Sequence, residues 1–265
     1  MQPSQDTPFN TTRLRPALGT LVAIEALANS PEISDLSVAA GFETIAAVER
    51  LMHPTRNGSD LAALRNAPLH APLSVHAWTF AVLELCKQFH RLSAGVFDPC
   101  LPTSPGRLGD LELNAPHDVT AHARLHLDLG GIAKGYAVDR AIEALRGAGC
   151  VGGLVNAGGD LATFGEPERE IRCRRSNGHS VVVTLRDAAL ATSDTEHASP
   201  PAEHQGYYHG IQRSLRPKGY VAVTAPDAAT ADALTKCLLA DGNSMAMARL
   251  LNVCGARRIE LADEE

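Results

Sequence analysis

A chain of 265 residues, 45% hydrophobic and 20% charged, has the composition of an ordinary globular protein, long enough for one large core or two closely joined halves. A formal net charge of −6 gives no support to nucleic-acid or anionic-membrane binding, and no run of eighteen apolar residues is present to form a transmembrane helix. The six cysteines are scattered without a CxxC pair and read as reduced thiols, not as a disulfide framework or a zinc site.

In chain order, residues 1–13 form a polar leader expected to be disordered. They show neither a basic region followed by an apolar stretch nor a lipid-attachment cysteine, so the expected location is cytoplasmic, or periplasmic if a leader has been removed. Residues 14–265 are expected to make a single domain, with an internal junction near 99–120. ALGTLVAIEALA (Ala17 to Ala28) reads as a strand. Pro31 to Met52 reads as a helix, with proline in its first turn and Ile45, Val48, Leu51 and Met52 at helical spacing. Ser59 is placed to cap a short helix, SDLAALRNA, and a longer helix runs from about Trp78 to Leu92. Pro99 to Pro116, rich in Pro, Gly and Leu, reads as a long loop. Beyond it come the β runs GLVNAG, EIRCR, SVVVTLR and AALATSD, an irregular segment from Glu196 to Lys218, a strand at Tyr220 to Thr224, two helices, and a last strand near Arg257 to Leu261. Strands and helices interleave without a regular βαβ period, which predicts an α+β fold.

The most informative stretch is LDLGGIAKGYAVDRAIEAL (Leu127 to Leu145). After Gly131, Val138, Ala141, Ile142 and Leu145 fall at helical spacing and face the core, while Asp139, Glu143 and Arg146 form a polar face. The start of this helix is therefore held rigidly. Its unpaired N–H groups and positive dipole end favour an anion, and Lys134 adds a full charge in the first turn. Gly130, Gly131 and Gly135 would let a bulky ligand approach the backbone, or would only permit a tight strand-to-helix turn. A second glycine turn, VNAGGD (Val155 to Asp160), raises the case for a nucleotide pocket.

Other constellations are ambiguous taken singly. In SAGVFDP (Ser93 to Pro99), Phe97 could stack on a flat ring and Asp98 could accept from a ring N–H or a ribose hydroxyl, or the pair could form a C-cap contact and an Asp-Pro turn. In ATADALTKCLLAD (Ala229 to Asp241), Asp232, Thr235 and Lys236 share one helix face. Their oxygens suit a hard cation such as Mg²⁺, whereas a plain Asp232–Lys236 surface pair is the simpler reading. His204 and His209, beside Tyr207 and Tyr208, offer a loop histidine as a general base, or are merely solvated.

In order along the chain, LGT (Leu18 to Thr20), GSDLAALRN (Gly58 to Asn66), GVFDP (Gly95 to Pro99), LDLGGIAKGYAVD (Leu127 to Asp139), LVNAGGD (Leu154 to Asp160), LATS (Leu190 to Ser193) and ADAL (Ala231 to Leu234) resemble the landmarks of the ApbE family of FAD:protein FMN transferases. The resemblance implies an α+β fold of two interlocked halves with mainly antiparallel sheets and a ligand cleft between them. It implies a transferase that moves FMN from FAD to a threonine or serine hydroxyl of an acceptor flavoprotein subunit and releases AMP, with Mg²⁺ on the pyrophosphate. The alternative is a protein that binds FAD, or hydrolyses it to FMN and AMP, without flavinylating a protein. Carried over by position, Leu18, Thr55, Val96, Phe97, Asp98, Asp128 and Lys134 would contact FAD. Gly131 (through its carbonyl), Asp232 and Thr235 would hold the metal, and His204 and Asp232 would be catalytic. Three departures stand out. The residue four after Asp232 is Lys236 where the family has threonine, so its ammonium is a candidate to take the cation's place. The late loop EHQGYYHGIQ lacks the family's His-x-x-Asp-Pro. Thr55 and Leu18 stand where many members carry an aromatic residue and a methionine.

Overall fold

The computed structural model describes residues 8–175, 178–196, 219–242 and 244–260. Its centre is a seven-stranded antiparallel sheet of β1 (Phe9–Ala17), β2 (Thr20–Ala28), β6 (Gly152–Ala157), β7 (Asp160–Gly165), β10 (Ala189–Asp194), β11 (Tyr220–Ala225) and β12 (Arg257–Arg258), in that spatial order. Three helices cover one face. The first, α1 (Pro31–Met52), lies over β1 and β2, α4 (Ala133–Gly147) over β6 and β7, and α5 (Ala228–Asp241) over β10 and β11, with α4 packed between the other two. On the opposite face the hairpin of β8 (Arg169–Arg174) and β9 (Ser180–Leu185) sets Cys173 and Leu185 against Leu161 and Leu190 of the sheet. A second, smaller layer joins α2 (Asp60–Asn66) and α3 (Ala77–Leu92) to the three-stranded sheet β3 (Pro72–Ser74), β5 (Asp118–Ala121) and β4 (Leu111–Asn114). The chain closes with α6 (Met245–Val253) before β12. The predicted α+β architecture with antiparallel sheets is the one observed.

Local chemistry explains the elements that position the cleft. Ser30 caps α1 by accepting from Ile33 N–H, with Pro31 at its first position, and Ser59 caps α2 by accepting from Ala62 N–H. The β1–β2 hairpin turns on Leu18 and Gly19, both at positive φ (54° and 71°), as a two-residue turn matched to strand twist demands.

Some sequence expectations are corrected. Residues 9–13 are not a disordered leader but the start of β1, which pairs with β2 along its whole length; its mostly exposed Thr and Arg side chains mark it as an edge strand. The stretch read as a long loop from Pro99 to Pro116 contains β4, and β7 follows β6 directly through Gly158 and Gly159. No helix among the described residues is long and apolar enough to cross a membrane.

Candidate active site

The glycine turn is built from backbone pairing and one side chain. Leu127 forms an isolated bridge with Cys100, and Asp128 N–H donates to Pro99 O (2.9 Å). The Asp128 carboxylate then accepts from Gly130 N–H (2.8 Å) and curls the chain into α4. The N-cap of α4 is Ile132, which has no side-chain oxygen to offer, so its first-turn N–H groups look elsewhere. One finds Asp232 on α5: Gly135 N–H donates to Asp232 Oδ2 at 3.3 Å.

The two helices cap each other. Asp139, one turn further along α4, accepts from Ala228 N–H (2.7 Å) and Ala229 N–H (2.9 Å) at the start of α5, while Asp227 takes Thr230 N–H (2.7 Å). Asp139 therefore does not belong to a free polar face. Burial pushes its pKa up to about 7 against the opposing pull of those two N–H groups. Gly135 permits this approach. A Cβ there would lie 2.5 Å from Ala228 C and 2.7 Å from Ala229 N, and closer still to Ala228 O. Its glycine serves helix–helix contact, not ligand approach.

Behind this crossing lies a buried cluster of charges. The helix α5 is enclosed nearly all round, so Asp232 (0% exposed) and Lys236 (4%) form an interior ion pair, Nζ to Oδ1 at 2.8 Å, not a surface one. Lys236 Nζ also donates to Ser193 Oγ (2.7 Å) and Thr235 Oγ1 (3.0 Å). Thr235 Oγ1 donates to the backbone oxygen of Asp232 (2.7 Å) and lies 2.8 Å from Ser193 Oγ. The turn of the second glycine motif brings in another carboxylate. Gly158 and Gly159 (φ 67° and 103°) press against Thr20 and Thr192, and Asp160, next in the chain, is fully buried. Its Oδ2 pairs with Lys134 Nζ at 2.6 Å, while Oδ1 makes no hydrogen bond among the described residues. Burial first and the Asp232 charge second push the Asp160 pKa up, opposed by Lys134 and Lys236.

Above the turn opens a cleft of about 860 Å³. One wall is the C-terminal end of α1 with the following loop, where His53 Nδ1 accepts from Thr55 and Arg56 N–H (3.3 and 3.1 Å). The other is the glycine turn, with Asp128, Gly130 and Lys134. Leu18 and Gly19 close one end, and Arg65 and His126 contribute from the smaller layer. Burial, then the Arg65 guanidinium, holds the His126 pKa below its ordinary value.

Of the residues singled out for FAD, Leu18, Thr55, Asp128 and Lys134 line this cleft together. Val96, Phe97 and Asp98 do not line it. They are buried beside it, Phe97 packing against Phe89 (centroids 5.8 Å apart) and Asp98 accepting from Cys100 N–H (2.9 Å). Thus Phe97 is part of the core and Asp98 closes a tight turn. Gly131 is buried where the turn meets α4. His204, with His209, lies outside the described residues. Asp160, Ser193 and Asp139 were not singled out for their side chains, although GGD is a readable signal: an acid fixed directly behind a Gly-Gly hairpin turn.

Comparison with known proteins identifies the family and the fold. The sequence model of the ApbE family matches residues 18–104 and 106–256. An FAD:protein FMN transferase of Treponema pallidum is 24% identical over 282 residues, covering 86% of this chain and 78% of its own. The apo crystal structure of the Pseudomonas stutzeri flavinyl transferase ApbE superposes with a TM-score of 0.79 at 17% identity, over 96% of this chain and 91% of the other. The ApbE protein of Thermotoga maritima gives a TM-score of 0.77 at 21% identity, over 94% and 93%. The family match takes in β2 through α6, including the glycine turn and the buried cluster, and the same fold returns in the solved structures: this chain belongs to the ApbE family.

Proposed function

We propose that this protein is an FAD:protein FMN transferase, moving the FMN half of FAD onto a threonine or serine hydroxyl of an acceptor flavoprotein. The observation that carries the reading is the cleft itself: a nucleotide-sized volume with the first turn of α4 and Lys134 at its wall, in a chain of this family. The acceptor oxygen forms a bond to the FMN phosphorus, and the bond from that phosphorus to the bridging oxygen breaks. AMP departs with the bridging oxygen, and the hydroxyl proton passes to a base, assigned to His204. Such a transfer needs little covalent help from protein, so positioning and charge stabilisation supply the rate. Leu18, Thr55 and the end of α1 seat the dinucleotide. Asp128 holds the turn that aims α4, and Lys134, oriented by Asp160, faces the phosphates.

The family implies a divalent cation on the carbonyl of Gly131, Asp232 and Thr235. This donor set does not suit one as arranged. Lys236 Nζ occupies Asp232 Oδ1 and Gly135 N–H takes Oδ2, while the Thr235 hydroxyl is engaged by Asp232 O, Ser193 and Lys236.

The test is AMP release from FAD with a threonine-bearing acceptor peptide. AMP together with flavin on the peptide is expected, and His204→Ala should lower transfer by about 10²–10⁴-fold while sparing FAD binding. AMP with free FMN only, across several acceptors, would replace transferase by FAD hydrolase. Bound FAD with no AMP would leave a flavin carrier.

A further inference from the structure

We infer that the Lys236 ammonium is this protein's built-in cation, standing where the fold family binds a divalent ion, so that the site neither requires nor accepts Mg²⁺. The inference rests on the transferase reading for its catalytic consequence, but its binding consequence stands without it. Lys236 Nζ is surrounded by Ser193 Oγ, Asp232 Oδ1 and Thr235 Oγ1 at 2.7–3.0 Å. Those are ammonium–oxygen distances; Mg²⁺ demands oxygens at about 2.0–2.1 Å in near-octahedral array. An ion sharing Asp232 would sit within a few ångströms of a second full positive charge in a low-dielectric interior, where repulsion is least screened.

The charge balance points the same way. Among the described residues, two buried carboxylates, Asp160 and Asp232, pair with two ammoniums, Lys134 and Lys236. With Lys236 already seated on Asp232, a divalent ion there would add positive charge beside an ammonium behind the first turn of α4. Removing the Lys236 charge while keeping a hydroxyl restores the opposite situation: a surplus carboxylate among Ser and Thr oxygens, the set a hard cation takes. Lys236 does not line the cleft, so it is a positioning residue. It holds Asp232, which caps α4, and it supplies a fixed charge beneath the phosphate-facing turn. It neither gains nor loses a proton, and the bonds made and broken in FMN transfer are those already given.

The experiment uses Mn²⁺ as the probe, read by electron paramagnetic resonance on the whole protein, alongside AMP release from FAD in Mg²⁺ or EDTA. Wild-type protein should leave Mn²⁺ free and release AMP equally with or without chelator. Lys236→Thr should acquire one bound Mn²⁺, lose about 10²-fold in AMP release under EDTA, and recover it in Mg²⁺. Recovery by an added metal is something a merely structural lysine would not produce. Stoichiometric Mn²⁺ on the wild type that Asp232→Asn abolishes would overturn the inference, as would chelator-sensitive turnover of the wild type. A folded Lys236→Thr variant that still ignores Mn²⁺ would overturn it too. Should that variant not fold by circular dichroism, the wild-type measurements alone decide. Absence of AMP release under every condition, with the Mn²⁺ results as expected, would refute the transferase reading and uphold the built-in cation.

Discussion

Gly135→Ala sets two physical effects against each other. Helix propensity alone favours alanine in the first turn of α4 by about 1 kcal/mol. The tertiary contact opposes it, because the new Cβ would stand 2.7 Å from Ala229 N and 2.5 Å from Ala228 C, where ordinary contact begins at 3.4 Å. Those atoms are backbone, so no side chain can rotate away and the helices must part by several tenths of an ångström. That movement stretches the bonds of Asp139 to Ala228 and Ala229 N–H and of Asp232 to Gly135 N–H. Overpacking costs about 1–3 kcal/mol, and weakening hydrogen bonds to charged groups adds roughly 1.5–3 kcal/mol. After subtracting the propensity gain, a net loss of about 3 kcal/mol remains, lowering Tm by roughly 6–12 °C. Differential scanning calorimetry reads it, with Gly147→Ala as control: that position ends the same helix and has open space around it, so its Tm should hold or rise. An unchanged or higher Tm for Gly135→Ala would show that α4 and α5 are not locked by this contact.

Two further predictions follow from the same crossing and from the charge cluster. The folded-state pKa of Asp139, about 7, lies above the ordinary value of 3.8, so the folded protein holds that proton more tightly than the unfolded chain and stability falls as pH rises between them. Asp139→Asn should remove a slope of at most about 1.4 kcal/mol per pH unit across that window; urea midpoints at several pH values that keep a constant gap from wild type would contradict it. Lys236→Met leaves Asp232 buried without its ammonium and should cost about 3–5 kcal/mol, whereas Asp232→Asn combined with Lys236→Met should recover most of it; a double variant as unstable as the single, in a urea double-mutant cycle, would disprove the pairing account.

Elements whose signals are local were legible from sequence. The helix α1 was bounded by proline at its start and by periodic apolar residues up to Met52, and the Ser59 cap announced α2. Strand β1 was missed because an edge strand carries exposed Thr and Arg that read as a polar leader, although the Leu18–Gly19 turn beside β2 was a usable clue. β4 was missed because it is only four residues long, and β7 because it starts directly behind Gly158–Gly159 and is buried along nearly its whole length, so it shows no in-out alternation. At the site, the glycine turn and Lys134 were found, since a charged helix start is written in consecutive residues. The tasks of Gly135 and Asp139 were not, because local spacing does not say which helix will cross α4. Asp232 and Lys236 looked like a surface pair for a related reason: an i, i+4 acid–base pair reads the same on any helix, and only the enclosure of α5 on both sides makes it interior.

That enclosure bears on why the cluster exists. Breaking a buried ion pair is costly, yet replacing both partners by well-packed apolar side chains is often neutral or stabilising, so stability gives no reason to keep Asp232 and Lys236. The same holds for Asp160, whose Oδ1 makes no hydrogen bond among the described residues although the residue is fully buried. A fold that needed only a tight α4–α5 crossing could use Gly135 and Asp139 and fill the rest with Ala and Leu, as α5 already does at Ala231, Leu234 and Leu238. The charged groups instead gather where β7, β10 and α5 meet the first turn of α4, and one of them, Lys134, reaches the cleft. Fixed charges at that position set the potential of a phosphate-sized anion without reorganising when it arrives, which is the contribution a phosphoryl-transfer site requires of its protein. Under the built-in-cation proposal, Lys236 would make that field part of the covalent structure.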